Sequence, residues 1–129
     1  MYLLEHDAKQ LLARHHITAP QGCLLTTPAI TDALPPGPWV VKGQITAGGR
    51  GKAGLIKKAD SVADVSARAA GIIGQQAKGR TVNAVRVEQQ VQGASEAYIA
   101  MMLDPAAAGV RIIMAAQGAW RLKPCPAMR

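Results

Sequence analysis

The apolar positions change their period along the chain, and each change marks an element. Leu4, Ala8, Leu11, Leu12 and His15 recur at three- and four-residue steps, which predicts an amphipathic helix over residues 3–15. Residues 17–25 read as a connection into a short strand. Thr27-Pro28 then offers an N-cap with proline at the first helical position, and Leu34-Pro35-Pro36 stops that helix early. The turn Pro35-Pro36-Gly37-Pro38 launches a β-forming run, Trp39-Val40-Val41, that delivers Lys42. Residues 55–59 suit a second strand. Asp60-Ser61-Val62-Ala63-Asp64 opens a helix with capping-box spacing, Val62, Val65, Ala69, Ile72 and Ile73 mark its buried face, and Gly79 lies beyond its end. Residues 83–91 alternate, with Val85 and Val87 on one side and Arg86 and Glu88 on the other. Residues 96–103 and 110–115 read as an antiparallel hairpin joined by Asp104–Gly109. This order of elements is α+β (α/β in the wider sense).

Composition narrows the class. The 129 residues make about one domain, nearly half of them hydrophobic, with no phenylalanine and 13 glycines. Leu, Ile, Val, Met and Ala must therefore build the core. No apolar run approaches the ~18 residues of a membrane span, and the N-terminus lacks a signal-peptide pattern. Cys23 and Cys125 stand in unrelated contexts without metal-ligand spacing, which fits reduced thiols in a cytoplasmic setting. His15-His16 is a poor metal pair, because neighbours on a helix point about 100° apart. The net charge of +7 suits an anionic partner: nucleotide phosphates, coenzyme A or nucleic acid. Nucleic acid is the weaker of these, since Tyr2, Trp39, Tyr98 and Trp120 are scattered and build no stacking platform.

The chemistry concentrates after the strand that ends at Lys42. Residues 47–54, Ala-Gly-Gly-Arg-Gly-Lys-Ala-Gly, have little side-chain bulk. Their N–H groups can approach an anion closely while Arg50 and Lys52 supply charge, which is the chemistry of a phosphate cradle. Both the P-loop pattern and the G-x-G-x-x-G fingerprint are absent. The alternative is a mobile basic loop.

Val40 to Gly54, VVK-x-Q-x-x-AGGRGKAG, closely resembles the nucleotide-binding segment of the ATP-grasp domain in succinyl-CoA synthetase β subunits and related ADP-forming acyl-CoA ligases. Leu4-Glu5 with residues 8–14, Ala19-Pro20, Thr26-Thr27-Pro28, Val87-Glu88 and Glu96-Ala97-Tyr98 carry the likeness from residue 1 to about Gly118. The resemblance implies a partial ATP-grasp domain over 1–118. Residues 17–91 would form the smaller, nucleotide-covering subdomain, complete, and 1–16 with 92–118 would be pieces of a truncated larger one.

It implies ATP or ADP as the ligand, with Lys42 on phosphate and Gly49-Arg50-Gly51 around the triphosphate. Glu88 would stand at the ribose end, Val91 at a main-chain contact where relatives often carry threonine, and Glu96 at another nucleotide-side position. Mg²⁺ would accompany the nucleotide, but the family's asparagine and aspartate ligands lie beyond residue 129, so no metal or catalytic residue is assigned. The reaction's phosphorylated histidine belongs to the partner α subunit, which would join only if the missing part were supplied. Self-association through an open sheet edge is the competing expectation, as a non-catalytic interaction protein that has lost nucleotide binding. Two departures stand out: Leu55 replaces a family glycine, and residues 119–129 replace an acidic stretch. A shifted reading frame of the tail restores a Gly-Val-Glu-like continuation, so a frameshift is the expectation there.

Overall fold

The computed structural model describes residues 2–30, 33–93 and 95–117. It divides into two compact units, Met1–Val91 and Gln92–Arg129. The divergent tail, with Cys125 and Trp120, lies outside the described residues.

The first unit is built on a four-stranded antiparallel sheet in the order β1-β6-β2-β3. These strands are β1 (Gly22–Leu25), β2 (Trp39–Gly43), β3 (Ile56–Ala59) and β6 (Val85–Gln89). Central β6 faces β1 with Val87 opposite Cys23, and β2 with Val87 opposite Val41. Helix α2 (Val62–Ile72) crosses one face. Its Val65, Ala69 and Ile72 join Val41, Leu55, Val85 and Val87 in the core, because β-branched residues at alternate strand positions meet a helical stripe at three- and four-residue steps. The capping box forms as the sequence predicts: Asp64 N donates to Ser61 Oγ at 3.1 Å and Ser61 N to Asp64 Oδ2 at 3.2 Å. Val62 is an exception to the predicted face, exposed at the start of the helix.

Between α2 and β6 lies a small hairpin, β4 (Gln76–Ala77) with β5 (Arg80–Thr81), which hydrophobic periodicity does not announce. The brief helix expected after Thr27-Pro28 is absent from the described part of that segment, and 31–32 lie outside it. Residues 26–29 bend instead. Thr27 Oγ1 donates forward to the Ala29 carbonyl rather than capping a turn, and Ser66 of α2 donates to the Pro28 carbonyl at 2.9 Å.

Helix α1 (Glu5–Arg14) forms, but only part of the expected face turns inward, Ala8 and, just before the helix, Leu4, both half-buried. None of its residues is buried, and Leu11 and Leu12 are exposed. Its polar residues Glu5, His6 and Lys9 meet the other face of the sheet instead. The reason is the sheet: Lys42, Arg86 and Glu88 line that face, and ionic groups inside a fold demand ionic partners.

The second unit, among its described residues, is the hairpin of β7 (Tyr98–Asp104) and β8 (Gly109–Ala115), paired from Tyr98 opposite Ala115 to Asp104 opposite Gly109. Asp104 closes its loop, receiving N–H groups from Ala106 and Ala107 and the Arg111 guanidinium.

Candidate functional site

Strand β6 presents Arg86 and Glu88 on the α1 side, only 4% and 3% exposed. Gly22 on the neighbouring strand makes room for them: a Cβ there would lie 2.7 Å from Arg86 Nη2 and 2.7 Å from the Val87 carbonyl oxygen. The guanidinium uses its whole fork. Nε donates to Glu88 Oε2 at 2.8 Å, Nη2 to the Pro20 carbonyl at 2.9 Å, and Nη1 reaches His6 Nδ1 at 2.9 Å. A guanidinium only donates, so His6 Nδ1 accepts and the neutral ring carries its proton on Nε2, which donates to the Gln10 side-chain amide when that amide turns its oxygen toward the ring. Burial first, and the Arg86 charge second, hold the His6 pKa below its ordinary value.

Around this core the cations and carboxylates interlock. Lys42 Nζ donates to Glu88 Oε1 and, at 3.1 Å, to Glu5 Oε1. Lys9 Nζ lies 2.6 Å from Glu88 Oε2 and 2.8 Å from Glu5 Oε1. Arg50 donates to Glu5 Oε2 and, at 3.1 Å, to the Gly43 carbonyl. Gln44 ties the helix to the strand: its Oε1 accepts the His6 N–H at 2.9 Å, one of the donors a helix leaves unpaired at its start, and its Nε2 donates to the Lys42 carbonyl at 2.9 Å. Two carboxylates thus serve four cations, Lys9, Lys42, Arg50 and Arg86.

The charges set the protonation states. Burial alone would raise Glu5, but Lys9, Lys42 and Arg50 outweigh it and bring the pKa to about 2. Glu88 is lowered in the same way, with Lys42, Lys9 and Arg86 overcoming burial. For Lys42 burial acts downward, yet Glu88 and Glu5 carry its pKa above the ordinary lysine value. A carboxylate whose folded pKa is depressed contributes stability that is complete above its unfolded value and lost as pH falls through the folded one. The thermal midpoint is therefore expected to fall steadily from pH 4.5 toward pH 2, the Glu5 window. Glu5→Gln should flatten that slope, which a series of melts across this range reads directly. A second, smaller loss should set in below pH 6.5, where His6 takes up its proton more readily in the unfolded chain.

Beyond Arg50 the glycine loop stands open. Ala53, Gly54 and Leu55 donate back to the carbonyls of Gly49, Gly51 and Arg50, which folds the loop on itself. Among the described residues the N–H groups of Gly48, Gly49, Arg50 and Gly51 meet no acceptor. Gly49 has φ +77°, which a side chain disfavours, and a Cβ on Gly48 would meet nothing within 4 Å. A cleft of about 320 Å³ opens here, lined by Tyr2, Leu3, Glu5, Ile45, Thr46, Ala47, Gly48 and Arg50. Free N–H donors beside a guanidinium and an ammonium make a surface that receives an anion.

Of the residues singled out from sequence, Lys42, Arg50 and Glu88 come together, linked through Glu5, and Gly49 and Gly51 flank Arg50 in the loop. Val91 lies exposed at the end of the first unit, and Glu96 belongs to the second. Sequence reasoning missed Glu5, His6, Lys9, Gln44 and Arg86 as parts of the site. The four-residue spacing of Glu5 and Lys9 was a signal, as was a charged residue at each alternate position of a β6-like run. Among the described residues no cluster of three or more His, Cys, Asp or Glu could hold a metal ion, and no helix is long and apolar enough to cross a membrane.

A family described as an ATP-grasp domain matches residues 2–123. The succinate–CoA ligase (ADP-forming) subunit beta of Escherichia coli (strain K12 / DH10B) is 37% identical over 129 residues, covering 92% of this chain and 33% of the relative. The same subunit from Shigella boydii serotype 18 gives the same figures. The chain spans about a third of the length of the curated relatives it matches.

Proposed function

The chain belongs to the ATP-grasp family, and from that premise we propose that it binds the phosphates of ATP or ADP through Lys42 and the loop Gly49-Arg50-Gly51. The observation that carries this reading is the convergence of Lys42 and Arg50 on the carboxylate of Glu5, beside N–H groups that meet no acceptor. Glu5 occupies the place of an anion among these cations, and a nucleotide phosphate takes that place with more charge and more acceptor oxygens. Glu88, held by Lys42, Lys9 and Arg86, is assigned to the sugar end, and Val91 to a further main-chain contact of the bound nucleotide. Mg²⁺ bound with the nucleotide would take part of its shell from the phosphates, beside one or two carboxylates.

The likeness to succinate–CoA ligase (ADP-forming) subunit beta supports a role as the nucleotide-binding part of such a ligase. Conversion of a carboxylic acid to its CoA thioester then depends on parts of the relatives that this chain does not match, and on a partner subunit. Thermal unfolding with ATP or ADP, each with and without Mg²⁺, tests the binding. Ligand at a hundred times its Kd should stabilise the chain by ~2.7 kcal/mol, several degrees at this size. No shift at millimolar nucleotide would reject the proposal.

One observation favours a second reading, self-association without catalysis. The β7–β8 hairpin exposes Met101, Met102, Leu103, Val110, Ile112 and Met114, an apolar surface that monomers seldom leave uncovered. Light scattering of the purified chain separates the two: a dimer that ignores nucleotide supports the second.

A further inference from the structure

The hairpin of β4 and β5 reaches back over the glycine loop. Ala77 pairs with Arg80, so Lys78 and Gly79 form a two-residue turn. Both have positive φ, 54° and 71°, the geometry of a tight hairpin turn whose first position prefers asparagine, aspartate or glycine to lysine. The base of this hairpin is held firmly. Val82 is fully buried, Gly74 N donates to the Val82 carbonyl at 2.8 Å, and Val82 N donates to the Gln75 carbonyl at 2.9 Å. Gln76 Nε2 adds a bond to Thr81 Oγ1 at 2.7 Å.

The tip carries its cation to the loop. A Cβ built on Gly49 would lie 3.9 Å from Lys78 Cε and 4.0 Å from its Nζ. Lys42 and Arg50 are already engaged by carboxylates, whereas among the described residues Lys78 forms no ion pair. An uncommitted ammonium therefore overhangs a stretch of backbone with open N–H donors, on a residue type that its own turn disfavours. A non-glycine residue held in a sparsely populated conformation points to a role beyond the turn itself.

We propose that Lys78 closes the phosphate cradle from above Gly49 and sets its preference for the length of the phosphate chain, an inference that rests on nucleotide binding at Lys42 and the loop. The ammonium attracts the phosphates that come within a few ångströms, so its contribution grows from monophosphate to triphosphate. The ligand class is a nucleoside polyphosphate, and the residue acts on specificity.

The test is isothermal titration of ATP, ADP and AMP into the wild-type chain, Lys78→Asn, Lys78→Arg and Lys42→Ala. Asparagine suits the left-handed turn and removes only the charge, and unchanged melting of that variant verifies it. Lys78→Asn should weaken ATP by about tenfold, as loss of one charge-assisted contact does, weaken ADP less and leave AMP unchanged. Lys78→Arg should keep the preference, and added salt should shrink the difference between wild type and Lys78→Asn. Equal weakening of all three nucleotides, or unchanged ATP affinity in Lys78→Asn while Lys42→Ala loses it, would overturn the role of Lys78 alone. Failure of the wild-type chain to bind any of the three would overturn the nucleotide reading, and this inference with it.

Discussion

Arg86→Ala is expected to cost the first unit about 3–5 kcal/mol, the range for removing one partner of a buried ion pair. The guanidinium is nearly inaccessible and holds Glu88, His6 and the Pro20 carbonyl at once. Its removal leaves Glu88 with Lys9 and Lys42, and the cost falls on the Pro20 carbonyl and the His6 ring nitrogen, both stranded without a donor. At roughly 4–8 °C per kcal/mol for a unit of this size, the melting midpoint should drop by more than ten degrees. Lysine cannot reproduce a three-way fork, so Arg86→Lys should recover only a fraction of the loss. Denaturant unfolding of both variants measures this, and a change below about 1 kcal/mol for Arg86→Ala would show that the network is not what holds α1 to the sheet.

Lys42→Ala should do the opposite: little to the fold, much to binding. Without it Glu88 keeps Lys9 and Arg86, and Glu5 keeps Lys9 and Arg50, so no buried carboxylate is orphaned. A phosphate bound as proposed, however, loses one of its charge-assisted contacts. Truncation of one partner in such a charged contact costs about 2–5 kcal/mol, which is roughly a 30-fold or greater rise in Kd. Nucleotide titration of the variant reads that ratio. Equal affinity in wild type and variant would move the phosphate site elsewhere.

Both effects meet in a network whose parts differ greatly in how visible they are in the sequence. The loop around Arg50 stands out in the sequence because its glycines and cations fall within a few residues. The same holds for α2, whose capping box and apolar stripe repeat within a few residues, and for β6, whose alternation is plain. The partners that Arg86, His6, Lys9 and Glu5 find across the fold are illegible for the converse reason. Lys9 meets Glu88 across 79 positions and His6 meets Arg86 across 80, and no local period encodes such a pairing.

Helix α1 shows the same principle in an expectation met only at Leu4 and Ala8. Leu11 and Leu12 at helical spacing predict a buried apolar face, and in isolation that inference is sound. Here the sheet offers a charged face, so the helix docks by Glu5, His6 and Lys9 and leaves its leucines exposed. The β4–β5 hairpin escapes for a third reason: two-residue strands are too short to display alternation, and only its turn, Ala77-Lys78-Gly79-Arg80, could have announced it.

A backbone amide NMR titration of the ¹⁵N-labelled chain with ADP tests phosphate binding at the glycine loop residue by residue. The largest shifts are expected at Gly48, Gly49, Arg50 and Gly51, whose N–H groups gain acceptors, with smaller ones at Lys42 and Glu5 as their pairing changes. Saturating ADP that leaves these amides unmoved, or moves only residues remote from the loop, would contradict that binding.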